Sequence, residues 1–170
     1  NQTLKFYKYV ECTTETSVLT ELQITTPPTK TKYIEGENFD PTGATVIAVY
    51  DDGNSIEIDV NDVNWSLTNN LTAGKAKEIT ASYTEDETTV TAKTQIDVYS
   101  VTLQAKDEEG YDIAGDPAAP TRNGITITPA EEANNYVFKE WDIKNATLGN
   151  SETTKTNTIT SPTDDVIVTA

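Results

Sequence analysis

The sequence predicts an all-β fold, an antiparallel β-sandwich followed by a second small β-rich module, and three observations carry that prediction. Apolar residues alternate with polar ones at period two along most of the chain. Turn signals recur about every ten residues. No stretch keeps an apolar period of 3.6, and "DPAAP" and "PAEEANN" have room for a single helical turn each. Short strands punctuated in this way form sheets with one packed face and one wet face.

The elements follow in order. "LKFYKYVEC" reads as a strand of its own, in an extension over residues 1–14. Leu22 and Ile24 open the first sandwich, and Pro27-Pro28 ends that strand because proline cannot donate to a ladder. Ala44, Val46, Ala48 and Tyr50 fall on one face of the next strand. Asp51-Asp52-Gly53-Asn54 is a turn, with Gly for positive φ and Asp and Asn to bond their own backbone. Ile56, Ile58 and Val60 alternate next, then Val63, Trp65 and Leu67. Beyond "NNLTAGK" come Ile79, Ala81 and Tyr83; beyond "TEDET" come Val90, Ala92, Ile96 and Val98. Residues 15–99 therefore read as one sandwich. A second unit, 100–170, starts with little or no linker, with strands at Val101/Leu103/Ala105, Ile125/Ile127, Tyr136/Phe138, Ile159 and Val166/Val168. Tyr50, Trp65, Tyr83, Tyr136, Phe138 and Trp141 are the expected core aromatics.

Composition limits the function. The chain has 170 residues, 12 Lys and Arg against 28 Asp and Glu, and a net charge of −16. Such a charge repels phosphate backbones and anionic lipid surfaces, so nucleic-acid binding is not expected. No stretch approaches the ~20 apolar residues of a membrane span, so membrane insertion is not expected either. Histidine is absent, which removes the commonest general base and metal ligand. The one cysteine, Cys12, has no partner for an internal disulfide. The sequence has no Met and begins at Asn1, as a processed product or a segment of something longer would. Abundant Thr suits the solvated face of a sheet.

Acidic pairs are the remaining source of chemistry: Asp51/Asp52, Glu57/Asp59, Asp107/Glu108/Glu109 and Asp164/Asp165. A carboxylate hydrolase would need two of them across a cleft, but most sit in solvated turns. "DDGNSIEID" and "DEEGYD" lack the spacing of a closed calcium loop, so any calcium held there would be weak. No cofactor and no catalytic residue is expected. Asn-x-Ser/Thr occurs at Asn1, Asn64, Asn70 and Asn145, and matters only in a eukaryotic secretory pathway.

"LTELQITTPPTKTKYIEGENFDPTGATVIAVYDDG" and "VNWSLTNNLTAGKAKEITASYTEDETTVTAKTQIDV" resemble the third group of bacterial Ig-like domains. The carrying residues are Pro-Thr-Lys-x-x-Tyr, Gly36-Glu37, Phe39-Asp40, Thr42-Gly43, the Tyr50-x-Asp-Gly hairpin and Ser82-Tyr83-Thr84. In the second unit "GITITPA", "YVFKEW" and "SPTDDVIVTA" are similar to a divergent internalin B-repeat. "VTLQAKDEEGYDIAG" is instead similar to collagen-adhesin B-type domains, some of which carry a Lys–Asn isopeptide that would use Lys106.

These resemblances imply a non-enzymatic structural or adhesive module, a spacer and interaction domain of a bacterial cell-surface protein or extracellular assembly. A phage head decoration or tail protein and a carbohydrate-binding module are the alternatives. The expected location is extracellular, on a bacterial surface or a virion. The expected partners are other protein chains, either copies of this one or neighbouring domains, with a host-surface glycan or protein beside them. Leu4, Phe6, Tyr7 and Tyr9 are too apolar for a free arm and are the candidate strand-addition segment.

Overall fold

The computed structural model describes residues 16–113, 120–130 and 136–170. Every regular element among them is a strand. The first unit holds β1 (Leu19–Thr26), β2 (Lys32–Ile34), β3 (Thr45–Tyr50), β4 (Ser55–Ile58), β5 (Asn64–Trp65), β6 (Gly74–Glu85) and β7 (Thr88–Tyr99). They form two sheets, in the orders β1-β3-β4 and β2-β7-β6-β5. Between the sheets Leu22, Val46, Ile79, Ala81, Ile96 and Val98 are buried, each from the inward phase of its strand.

The second unit holds β8 (Val101–Gln104), β9 (Thr121–Asn123), β10 (Thr126–Thr128), β11 (Asp142–Lys144), β12 (Thr147–Leu148), β13 (Asn157–Thr160) and β14 (Val166–Thr169). Its sheets run β12-β13-β10-β9 and β11-β14-β8. Ile127, Trp141, Ile159, Val166 and Val168 fill the space between them. Ser100 alone separates β7 from β8.

Pairing is antiparallel apart from two parallel contacts, β2 with β7 and β8 with β14. The first follows from Pro27-Pro28. The chain leaves β3 there and continues as β2 on the opposite sheet, where Asp97 N–H donates to Thr31 O. The long β6–β7 hairpin closes on Asp86 and Glu87, with φ of 48° and 88°. Positive φ at both loop residues matches the right-handed twist of the strands, here without glycine.

Several sequence expectations are corrected. Ile56 is 54% exposed, because β4 is an edge strand whose outer face meets solvent. Leu67 is 53% exposed: the strand stops at Trp65, and Leu67 lies beyond it at φ 56°. Val60 lies beyond the end of β4. Tyr136 is 43% exposed rather than in the core. Its backbone forms a single bridge rather than a run of strand, so no alternation fixes its direction.

Candidate functional site

The stretch Thr29–Gly43 carries the densest motif in the sequence and folds into a self-bonded loop. Tyr33 is fully buried; its hydroxyl lies 3.1 Å from Lys30 O and accepts from Asp40 N–H at 3.1 Å. Burial pushes the Tyr33 pKa up. Glu37 accepts from Ile34 N–H at 2.7 Å and pairs with Lys30 at 2.6 Å. Asp40 is held below the usual carboxylate range by hydrogen bonds from the Thr42 side chain and backbone. Gly43, at φ 85°, packs directly on Thr29. These contacts tie the loop to itself, so the motif serves the fold.

Midway, at Ile34 and Glu35, the loop meets the joint between the two units, where polar contacts concentrate. Ile34 is 1% exposed and packs into the second unit's core, although β2 belongs to the first. Glu35 N–H donates to Tyr99 O, and its carboxylate accepts from Val101 N–H at 3.1 Å. Arg122, the only arginine in the sequence, donates to Glu35 O at 2.6 Å and to Gly124 O at 2.9 Å. Its other guanidinium nitrogen stands 3.5 Å from the Glu35 carboxylate. Ser100 N–H donates to Asp165, and Lys75 pairs with Asp164 at 2.9 Å. That contact holds the Asp164 pKa down and the Lys75 pKa up. Sequence reasoning singled out Asp164 and Asp165 only as an acidic pair and missed the parts played by Ile34, Glu35, Lys75 and Arg122. A lone arginine in a strongly acidic chain was the available signal, because its planar fork suits several acceptors at once.

The core-aromatic candidates fall at different depths. Tyr50 and Trp65 are buried, with Trp65 against Phe39 at 5.4 Å and its N–H donating to Val60 O. Tyr83 is half-buried and shares the Glu85 carboxylate with Tyr50. Trp141 is buried, its N–H shared between Thr154 O and Lys155 O, with half-buried Phe138 at 5.1 Å. Leu4, Phe6, Tyr7 and Tyr9 lie outside the described residues.

The acidic turns are occupied by local bonds. Asp52 accepts from Asn54 backbone and side chain, Asp59 from Asn61, and Asp107 from Tyr111 N–H. Asp51 accepts from Val18 N–H. Among the described residues, no three Asp, Glu or Cys side chains gather in metal-binding geometry. Every described carboxyl with a shifted pKa is shifted down, which favours the ionised form and disfavours a neutral proton donor. Lys106 faces Asp112 at 3.8 Å and is 40% exposed, a solvated ion pair rather than the buried setting an isopeptide would need.

An open cleft of about 400 Å³ lies on the second unit, lined by Lys106, Glu108, Phe138, Lys139 and Ala170 among others. Tyr136 stands on its wall, and Lys139 pairs with Glu108 across it at 3.2 Å. Its described lining mixes apolar faces with exposed, paired charges, an arrangement suited to contact with a ligand.

No curated protein matches the chain. Residues 26–98, which span most of the first sandwich, match the family model of the bacterial Ig-like domain (group 3).

Proposed function

We propose that the chain is a non-catalytic spacer and interaction module of a bacterial surface protein or other extracellular assembly. The observation that carries this reading is the joint. Glu35, Arg122 and Ile34 tie two β units together across a single connecting residue. The Ig-like match over residues 26–98 supports a structural role. Labelling intact cells or virions with an antibody against the second unit tests the reading. Signal before lysis is the expected result; signal only after lysis would overturn it.

The partner in this reading is another protein chain, a second copy or a neighbouring domain, reached through Leu4, Phe6, Tyr7 and Tyr9 as an added strand. Among the described residues β4 ends its sheet, with Ile56 exposed beside Glu57 and Asp59. Removing residues 1–14 should lower the mass seen by light scattering; an unchanged mass would refute strand addition. No cofactor enters the proposal, and melting should be the same in millimolar calcium and in chelator.

A carbohydrate-binding role is the second reading. Tyr111 and Tyr136, 73% and 43% exposed, offer flat apolar faces of the kind that stack on sugars. A glycan array on the full chain separates the two.

A further inference from the structure

In the second unit the strand by which the chain enters lies beside, and parallel to, the strand by which it leaves. In the second unit β8 enters at the joint and β14 exits at the opposite pole, with Val101 opposite Val166 and Gln104 opposite Thr169. The ladder extends past both ends. Val166 N–H donates to Ser100 O at 2.9 Å, Ala170 N–H to Gln104 O at 3.0 Å, and Lys106 N–H to Ala170 O at 2.9 Å. In the first unit β2 pairs with β7 from Lys32–Asp97 to Ile34–Tyr99. Upstream of it, β1 runs along β3 from Leu19–Tyr50 to Thr26–Thr45.

This topology determines how the protein meets a pull along its length. Tension drags β8 toward the first unit and β14 away from it. Parallel neighbours displaced lengthwise must give up their hydrogen bonds together, so the whole ladder shares the load. A pull on two adjacent strand ends opens the same ladder one bond at a time. The force at which each breaks follows the barrier along the pulled direction, not the equilibrium stability. The joint passes the load on without a slack linker. Glu35 binds Val101 N–H at the first residue of β8, and Asp165 binds Ser100 N–H just before β14 begins.

We propose that the chain is a tension-bearing link whose β8–β14 pair acts as a shear clamp, tied to the first unit through Glu35 and Arg122. This rests on the spacer reading above and adds to it a mechanical task. The test is single-molecule pulling on the full chain in a Cys12→Ser background, with handles in two geometries. One pair of handles sits at the two chain ends. The other sits at the C-terminal end and at position 109, through Glu109→Cys in the exposed turn beyond β8. That turn lies at the same pole as Ala170, so the second geometry unzips the clamp. Unfolding of the second unit is recognised by its length gain, about 3.5 Å per released residue. The end-to-end rupture force should exceed the unzipping force at least twofold at equal loading rate. Equal forces would overturn the clamp while leaving the spacer reading intact. Failure of surface labelling would instead remove the spacer reading and, with it, the mechanical task.

Discussion

The Tyr50 hydroxyl donates to the Glu85 carboxylate at 2.7 Å, joining the end of β3 to the end of β6 across the sandwich. This bond to a carboxylate, with burial behind it, pushes the Tyr50 pKa from 10.0 up to about 12. A folded pKa above the unfolded one means that the unfolded chain loses its proton first. The stabilisation is therefore complete below pH 10 and drains away as pH rises through about 12. Tyr50→Phe should cost about 1 kcal/mol at neutral pH and make the alkaline fall shallower. Urea melts at pH 7, 10 and 11.5 check this; an unchanged alkaline slope would show that Tyr50 is not the group titrating.

Each unit has one buried tryptophan whose N–H is satisfied by backbone. Trp65→Ala and Trp141→Ala should each cost ~3–5 kcal/mol, from lost packing and a stranded carbonyl. Of the typical ~5–15 kcal/mol of a domain, that is a large share. Trp65→Phe should recover most of the loss, because the contact with Phe39 survives. An unchanged melting temperature in Trp65→Ala would refute the inward phase of β5.

Gly43 and Gly53 share a positive φ, 85° and 82°, but not a neighbourhood. A Cβ on Gly43 would run into the Thr29 side chain, whereas one on Gly53 meets nothing within 4 Å. Gly53→Ala should therefore carry only the left-handed backbone penalty, about 1 kcal/mol. Gly43→Ala should cost clearly more, and Thr29→Ser/Gly43→Ala should recover little, since the hydroxyl remains. Equal losses in thermal melts would show that the Thr29 contact is not tight.

The sandwich of the first unit was legible because its long strands alternate faithfully: Val46, Ala48, Ile79, Ala81, Ile96 and Val98 all point inward. Short strands were not legible. β2, β9, β11 and β12 have two or three residues, too few for a period to show. Ile56 and Leu67 misled for a related reason, since alternation predicts direction only where a strand has a covered face. The joint was harder still. Glu35, Asp164 and Asp165 look like ordinary acidic turn residues in sequence, and their roles come from residues 65 or more positions away. Non-local polar contacts leave no periodic trace.

Ile34 tests whether the two units are coupled. It is the last residue of β2, paired with Tyr99, so its backbone belongs to the first sandwich. Its side chain is 1% exposed and packs among Ile127, Ile159 and Val166 of the second. Ile34→Ala removes three carbons from that second core and should cost ~2–5 kcal/mol. The loss should appear in the second unit: amide exchange at Val166 and Val168 should quicken, and Trp141 fluorescence should report unfolding at lower denaturant. Ile79→Ala, buried wholly among first-unit residues, provides the contrast. Its direct effect should fall on the exchange of β6 and β7 amides. If Ile34→Ala instead left Val166 and Val168 exchanging at their original rates, the side chain would not be part of the second core, and the joint would be held by polar contacts alone.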